Sequence, residues 1–190
     1  VSAGDILLVS KGQDKWGRII RWVTRSPYHH AAIDLGDGTA ASAEAPRVKI
    51  KPISDFASVQ SLTIGTDEQR KLVAWHALQM VGMRYSRLGF VLAGLHALGL
   101  IPGILQQPLA DLADETGVTC GSMVDACYLA VGIDLLPGPS GLTWPGELAQ
   151  LLPSDDPERH MHFEILPDGR QWLGFLQGHQ GADFVGQEES

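Results

Sequence analysis

Between Tyr28 and Ala45 two strand-like runs flank Gly36-Asp37-Gly38, and that spacing commits the chain to an antiparallel hairpin with very few allowed registers. A three-residue loop with glycine in the left-handed position pairs Leu35 with Thr39. Counting outward from that pair sets Glu44 opposite His30, with both side chains on one sheet face. A two-residue Asp37-Gly38 loop would slip the register by one and turn Glu44 to the other face. Gly36 favours the longer loop. Ser42 shares the His30 face in that register and is the reserve candidate for a group that orients the imidazole.

The rest of the chain supplies helices and further strands. Gly4 to Val9 is a short apolar run after a turn signal and reads as a buried strand. Trp16, Ile19, Ile20 and Val23 recur at helical spacing, and Ser26-Pro27 stops that helix because a residue before proline is pushed out of the α region. Val48 to Ile53 and Val59 to Ile64 read as strands, with Lys49 and Lys51 marking an exposed face. Thr66-Asp67-Glu68-Gln69 is a capping box that opens a helix to about Val81. Leu88 to Leu105 is the most apolar stretch, with His96 its only polar side chain. Its length approaches a membrane span, but Gly89, Gly94, Gly99, Pro102 and Gly103 interrupt it, which favours a buried helix or an apolar lid. The order of elements is that of an α+β protein, with one domain over 1–152 and a tail over 153–190.

Composition narrows the partners. A chain of 190 residues with 44% hydrophobic content can bury one ordinary core. A formal net charge of -8 leaves no basic stripe for phosphates, so no nucleic-acid partner is expected. The first residues lack a basic segment, an apolar core and a small-residue cleavage site. That reads as no signal peptide, and as a cytoplasmic protein or one that reaches a virion or the exterior by a route without a cleaved signal. Cys120 and Cys127 are the two cysteines; seven residues apart on one helix, they are separated by about 10 Å of rise and should both be free thiols.

A thiol, an imidazole and a group that orients the imidazole are the parts of a cysteine nucleophile site. Thr119 is a natural N-cap, which puts Cys120 in the first turn of a helix, where unpaired N–H groups and the dipole favour a thiolate. Cys127 falls on the apolar stripe with Met123, Val124 and Val131 and reads as core. Gly121 would let a substrate carbonyl approach backbone N–H groups that form an oxyanion hole. Of the adjacent histidines, His29 shares its face with Ala31, Ile33 and Leu35, whereas His30 shares its face with Ala32 and Asp34. Small Ala32 leaves room there for a helix terminus, so His30 is the candidate base and His29 a packed histidine. His160-Met161-His162 lacks nearby ligand partners, so no metal and no cofactor are expected.

Gly4-Asp5-Ile6, Ser26-Pro27-Tyr28 before His30-Ala31-Ala32-Ile33, Glu44-Ala45, and Thr119-Cys120-Gly121-Ser122-Met123-Val124 together resemble the NlpC superfamily of papain-like cysteine hydrolases. Histidine first, polar orienter next and cysteine last is similar to its circularly permuted branch, which includes lecithin:retinol acyltransferase-like proteins. The likeness spans about Gly4 to Leu152, including Gly82-Met83-Arg84-Tyr85 and Thr143-Trp144-Pro145-Gly146-Glu147-Leu148. It implies a permuted papain-like fold, an antiparallel sheet against helices with the cysteine at a helix N-terminus. By the same likeness Cys120 is the nucleophile, His30 the base, Glu44 the third member, and Tyr85 lies near the substrate. The family commonly has serine after its cysteine, where this chain has Gly121, and often histidine at the third position.

The expected chemistry is acyl transfer through a thioester. The leading substrate class is a peptide or amide, including cell-wall peptidoglycan; a lipid or thioester acyl group is the runner-up, since Leu88 to Leu105 could cover an acyl chain or contact lipid. The other class is a noncatalytic module of a phage particle or secretion assembly. The tail favours some docking role, with a strand at His162 to Leu166, a Pro167-Asp168-Gly169 turn, and Trp172, Phe175 and Phe184 among glycines.

Overall fold

The computed structural model describes residues 2–10, 26–136 and 138–152, together with the backbone of His160–Ile165 and Gln171–Leu176. The expected helix at Trp16 to Thr24, the Pro167-Asp168-Gly169 turn and Phe184 lie outside the described residues.

The fold is α+β. Its main sheet is formed by β1 (Ile6–Val9), β2 (His30–Asp34), β3 (Thr39–Glu44), β4 (Arg47–Pro52) and β5 (Val59–Leu62) in the order β4-β3-β2-β1-β5, every neighbouring pair antiparallel. Among the described residues five helices accompany it: α1 (Asp67–Gln79), α2 (Arg87–Ala97), α3 (Gly103–Thr116), α4 (Cys120–Leu129) and α5 (Pro145–Leu148). A short strand β6 (Ile133–Asp134) pairs in parallel with β8 (Gln171–Leu176), which pairs antiparallel with β7 (His160–Ile165). The tail therefore meets the body through backbone pairing at β6.

The turn after β2 takes the three-residue form. Gly36 and Gly38 both adopt positive φ, Leu35 N–H donates to Thr39 C=O at 2.9 Å, and Asp34 Oδ1 accepts from Gly36 N–H at 2.7 Å. The ladder then runs Asp34↔Ala40, Ile33↔Ala41, Ala32↔Ser42. β4 is an edge strand; Lys49 and Lys51 guard it as charged side chains commonly do, while Ile50 between them is about half exposed.

The core forms where α1 and α4 cover one sheet face. Ile6, Leu8, Ala31, Ile33 and Ala41 pack against Val73 and Ala77 of α1 and Val124, Cys127 and Tyr128 of α4. Alanines at two of these positions keep the surface low and let α4 sit close to the backbone. Tyr128, fully buried, donates from its hydroxyl to Gly4 C=O at 2.7 Å, so its polar end is satisfied. The opposite face carries Leu7, Ala32 and Ala40, packed with Ile53 and Phe56 from the connection to β5 and with Val59 at its start. This corrects one expectation: α4 lies on the Ala31 face, not the Ala32 face, because the apolar area it must bury is there.

Both helix starts read from sequence have their caps. Thr66 and Gln69 form a reciprocal box at α1. At α4, Thr119 Oγ1 accepts from Ser122 N–H at 3.1 Å and Ser122 Oγ accepts from Thr119 N–H at 2.9 Å, an interaction worth about 1 kcal/mol. Cys127 is part of the core as expected, and both cysteines are free. The Leu88 to Leu105 stretch is divided into α2, a loop and the start of α3, and no helix among the described residues is long and apolar enough to cross a membrane. The helix α3, with Pro108 inside it, was not legible as an element of its own.

Gly121 has a packing reason that its sequence context did not reveal. A Cβ built there would stand 2.2 Å from the Thr143 carbonyl oxygen, so the glycine lets the Thr143–Trp144 backbone close against α4. Gly94, inside α2, faces open space. Gly121→Ala should therefore cost about 1–3 kcal/mol by overpacking, whereas Gly94→Ala should stabilise by about 0.5–1 kcal/mol. Urea unfolding of the two variants checks this, and a Gly121→Ala protein as stable as wild type would contradict the close approach.

Candidate active site

The residues singled out from sequence converge at one end of the main sheet, where β2 begins and β3 ends. His30 Nε2 lies 2.8 Å from Ser42 Oγ, and Ser42 Oγ donates to Glu44 Oε1 at 3.0 Å. The serine has one proton and gives it to the carboxylate, so its oxygen accepts from His30 Nε2–H. That assigns the tautomer: Nδ1 carries the lone pair and is the basic nitrogen.

Glu44 stands on the His30 face, but not in the role expected of it. Its Oε1 is 3.9 Å from His30 Nε2, too far for a hydrogen bond, while Lys51 Nζ and Lys49 Nζ each approach one of its oxygens at 2.8 Å. The two ammonium groups draw the carboxylate toward β4, and Ser42 fills the space beside the imidazole. Ser42 is thus the direct partner of His30, and Glu44 acts one bond further out. Lys49 and Lys51 were the residues that sequence reasoning missed. Their alternation marked an exposed strand face, but only the β3–β4 register, with Ser42↔Lys49 and Ala40↔Lys51, aims them at Glu44.

Cys120 is the first residue of α4, 6% exposed. Its sulfur is approached by the backbone N–H groups of Ala31, Gly121 and Cys120 itself. Ala31 follows His30 directly and lies just beyond the Ala32↔Ser42 pair, the last of the β2–β3 ladder. Cys120 belongs to the apolar group with Ala43, Val48 and Met123 on the helix side of the sheet, whereas the His30 ring stands 6.0 Å from that of Phe56 on the other side. The two side chains therefore lie on opposite faces of β2, and the Cys120 sulfur reaches the strand at the Ala31 N–H, one residue after His30. Among the described residues no hydrogen bond joins Cys120 to His30. Tyr85 packs beside Cys120 and is within electrostatic reach of both Cys120 and Glu44.

Burial governs the protonation states. It pushes the Cys120 thiol up to about 11, against the opposing backbone N–H groups, and the nearby Glu44 charge adds to the rise. It pulls His30 down to about 4 although Glu44 opposes, with His29, Lys51 and Lys49 adding to the fall. For Glu44 burial acts upward, but hydrogen bonds from Lys49 and Lys51 outweigh it and hold the carboxyl at about 2. Tyr85 is raised, chiefly by burial. At neutral pH the site therefore holds a neutral thiol and a neutral imidazole beside an ionised Glu44. The helix N-terminus does not overcome desolvation, which favours the neutral thiol.

Asp125, five residues beyond Cys120, ties α4 to the Ser140–Thr143 segment. Thr143 Oγ1 donates to its Oδ2 at 3.2 Å, and burial raises its pKa to about 6 against the hydrogen bonds of Ser140 and Thr143. No protein-family model matches this chain, and no curated protein matches it in sequence.

Two measurements follow from these states. Iodoacetamide should alkylate Cys120 faster than the core thiol Cys127, whose pKa burial pushes to about 12, and the Cys120 rate should climb about tenfold per pH unit above neutrality as thiolate forms. A fast, pH-independent rate at neutral pH would instead mean a preformed thiolate. The second measurement is thermal stability. The folded protein disfavours protonated His30, so stability present above pH 6.5 is lost as pH falls through about 4. Asp125 works in the opposite direction, losing stability as pH rises from 3.8 through about 6. Comparison with His30→Gln isolates the histidine: the variant should lose less Tm than wild type between pH 6.5 and pH 4.

Proposed function

We propose that this chain is a thiol hydrolase or acyltransferase acting through a thioester on Cys120. The observation that carries the reading is the relay His30–Ser42–Glu44, which leaves Nδ1 as the base on the residue before Ala31, whose N–H meets the Cys120 sulfur. Because thiol and imidazole rest neutral, proton transfer accompanies attack instead of preceding it. As the sulfur bonds to the substrate carbonyl carbon, its proton passes to His30 Nδ1. Ser42 accepts the Nε2–H of the imidazolium, and Glu44 offsets its charge. The backbone N–H groups at the start of α4 supply donors for the oxyanion. His30 then protonates the leaving group, and water or an amine releases the acyl group.

The leading substrate class is a peptide or amide, cell-wall peptides included, with lipid or thioester acyl groups second. The family likeness read from the motifs supports this class of chemistry; a permuted papain-like fold is part of the same proposal. A noncatalytic structural module is the competing reading. Its support is the burial of Cys120 and the missing hydrogen bond to His30, although catalytic contacts in a ligand-free protein often tighten only around substrate.

Incubation with p-nitrophenyl acetate should leave one acetyl group on Cys120, read by intact mass and peptide mapping. Acetylation confined to lysines or Cys127 would sink the proposal. Cys120→Ala and His30→Ala should each reduce turnover by about 10³-fold or more, and the double variant should lose little beyond either. Ser42→Ala should cost less than His30→Ala and more than Lys49→Ala, because Ser42 touches the imidazole and Lys49 does not.

A further inference from the structure

The helical hairpin of α2 and α3 carries no Asp, Glu, Lys or Arg from Leu88 to Ala110, in a chain that holds 14 basic and 22 acidic residues. Its inner side is spoken for: Leu92, Ile101 and Ala110 pack with Leu142, Phe90 lies against Trp144 with ring centroids 5.8 Å apart, and His96 Nε2 is 3.7 Å from Glu147 Oε1. Its outer side is not. Ile104 is 87% exposed, Leu100 64% and Val91 55%, with Leu95, Leu98 and Leu105 also exposed. The loop between the helices, Leu98-Gly99-Leu100-Ile101-Pro102, puts leucines where a water-facing turn would have polar side chains.

From this geometry we infer that the α2–α3 hairpin is a membrane-docking element, whose tip enters the acyl region of one leaflet of a lipid bilayer. Three features favour lipid over a protein partner. The exposed apolar side chains come from the loop and from both helices, so they are presented at the end of the hairpin as well as along one helix. The hairpin itself contributes no Asp, Glu, Lys or Arg to border them between Leu88 and Ala110, whereas protein interfaces set an apolar centre within a polar border. The charges resume at the base of both helices, with Arg84 and Arg87 where α2 begins and Asp111 and Glu115 in the second half of α3, the level at which head groups and water would lie. Neither helix is long enough to cross a bilayer, so the element enters one leaflet only. The strongly negative chain gains nothing from anionic lipid, so binding comes from apolar burial. The hairpin roots at Tyr85 and Ser86, beside Cys120, but the inference does not require that the thiol be catalytic.

The test is flotation of the full chain with phosphatidylcholine vesicles. Wild type should float with the vesicles equally at about 0.1 M and about 1 M salt. Leu100→Glu/Ile104→Glu should lower the bound fraction by at least about tenfold, and Leu100→Lys/Ile104→Lys should do the same, since either charge is costly in acyl chains. Leu72→Glu on α1, also exposed, should leave flotation unchanged, and Cys120→Ala should float like wild type. Far-UV circular dichroism checks that the tip variants remain folded, as their exposed positions predict. Absence of flotation, flotation abolished by salt, or unchanged flotation of both charged variants overturns the inference. So does self-association through the tip, seen as a sedimentation mass that falls in the Glu variant while wild type ignores vesicles.

Discussion

The two-glycine turn between β2 and β3 is the constraint on which the candidate site depends. Gly36 and Gly38 hold backbone conformations that other residues rarely adopt, and with them in place Leu35 must meet Thr39. Every later pair is then arithmetic: Ser42 comes beside Ala32, and His30, Ser42 and Glu44 share a face. The separate β3–β4 register brings Lys49 and Lys51 of β4 across from Ser42 and Ala40. A one-residue slip would carry the serine and the carboxylate to the helix side, leave the imidazole without its partners, and bury a charge in the core.

Electrostatics then decides what the site is at rest. Two lysines on one glutamate keep that carboxylate ionised at all but strongly acidic pH, yet they also add to the positive field that discourages a charged imidazole. Burial acts on the thiol and imidazole in the direction that keeps both neutral. A helix N-terminus favours an anion by a modest amount, and desolvation of a buried group can exceed it. Thiol and imidazole are therefore both held in their neutral forms at rest.

Holding the first turn of α4 against the sheet takes contacts on every side. Alanines at 31 and 41 lower the sheet surface beneath the helix, Gly121 admits the Thr143 carbonyl, and Asp125 is tied to Thr143. The 140–144 turn that supplies these contacts also bears Leu142 and Trp144, which hold the inner side of the α2–α3 hairpin. One turn thus braces the thiol helix and the apolar hairpin together.

Much of this was legible in the residues. The hairpin register, the capping box at Thr66, the cap at Thr119, the core role of Cys127 and the free state of both thiols depend on neighbours a few positions away, and local chemistry determines them. The shared face of His30, Ser42 and Glu44 followed from the same turn. The side of the sheet on which α4 lies, the capture of Glu44 by Lys49 and Lys51, the neutral resting state of Cys120 and the reason for Gly121 were decided only by the tertiary structure. Each depends on contacts between segments distant in the chain, and on how much water those contacts exclude, which no local pattern encodes.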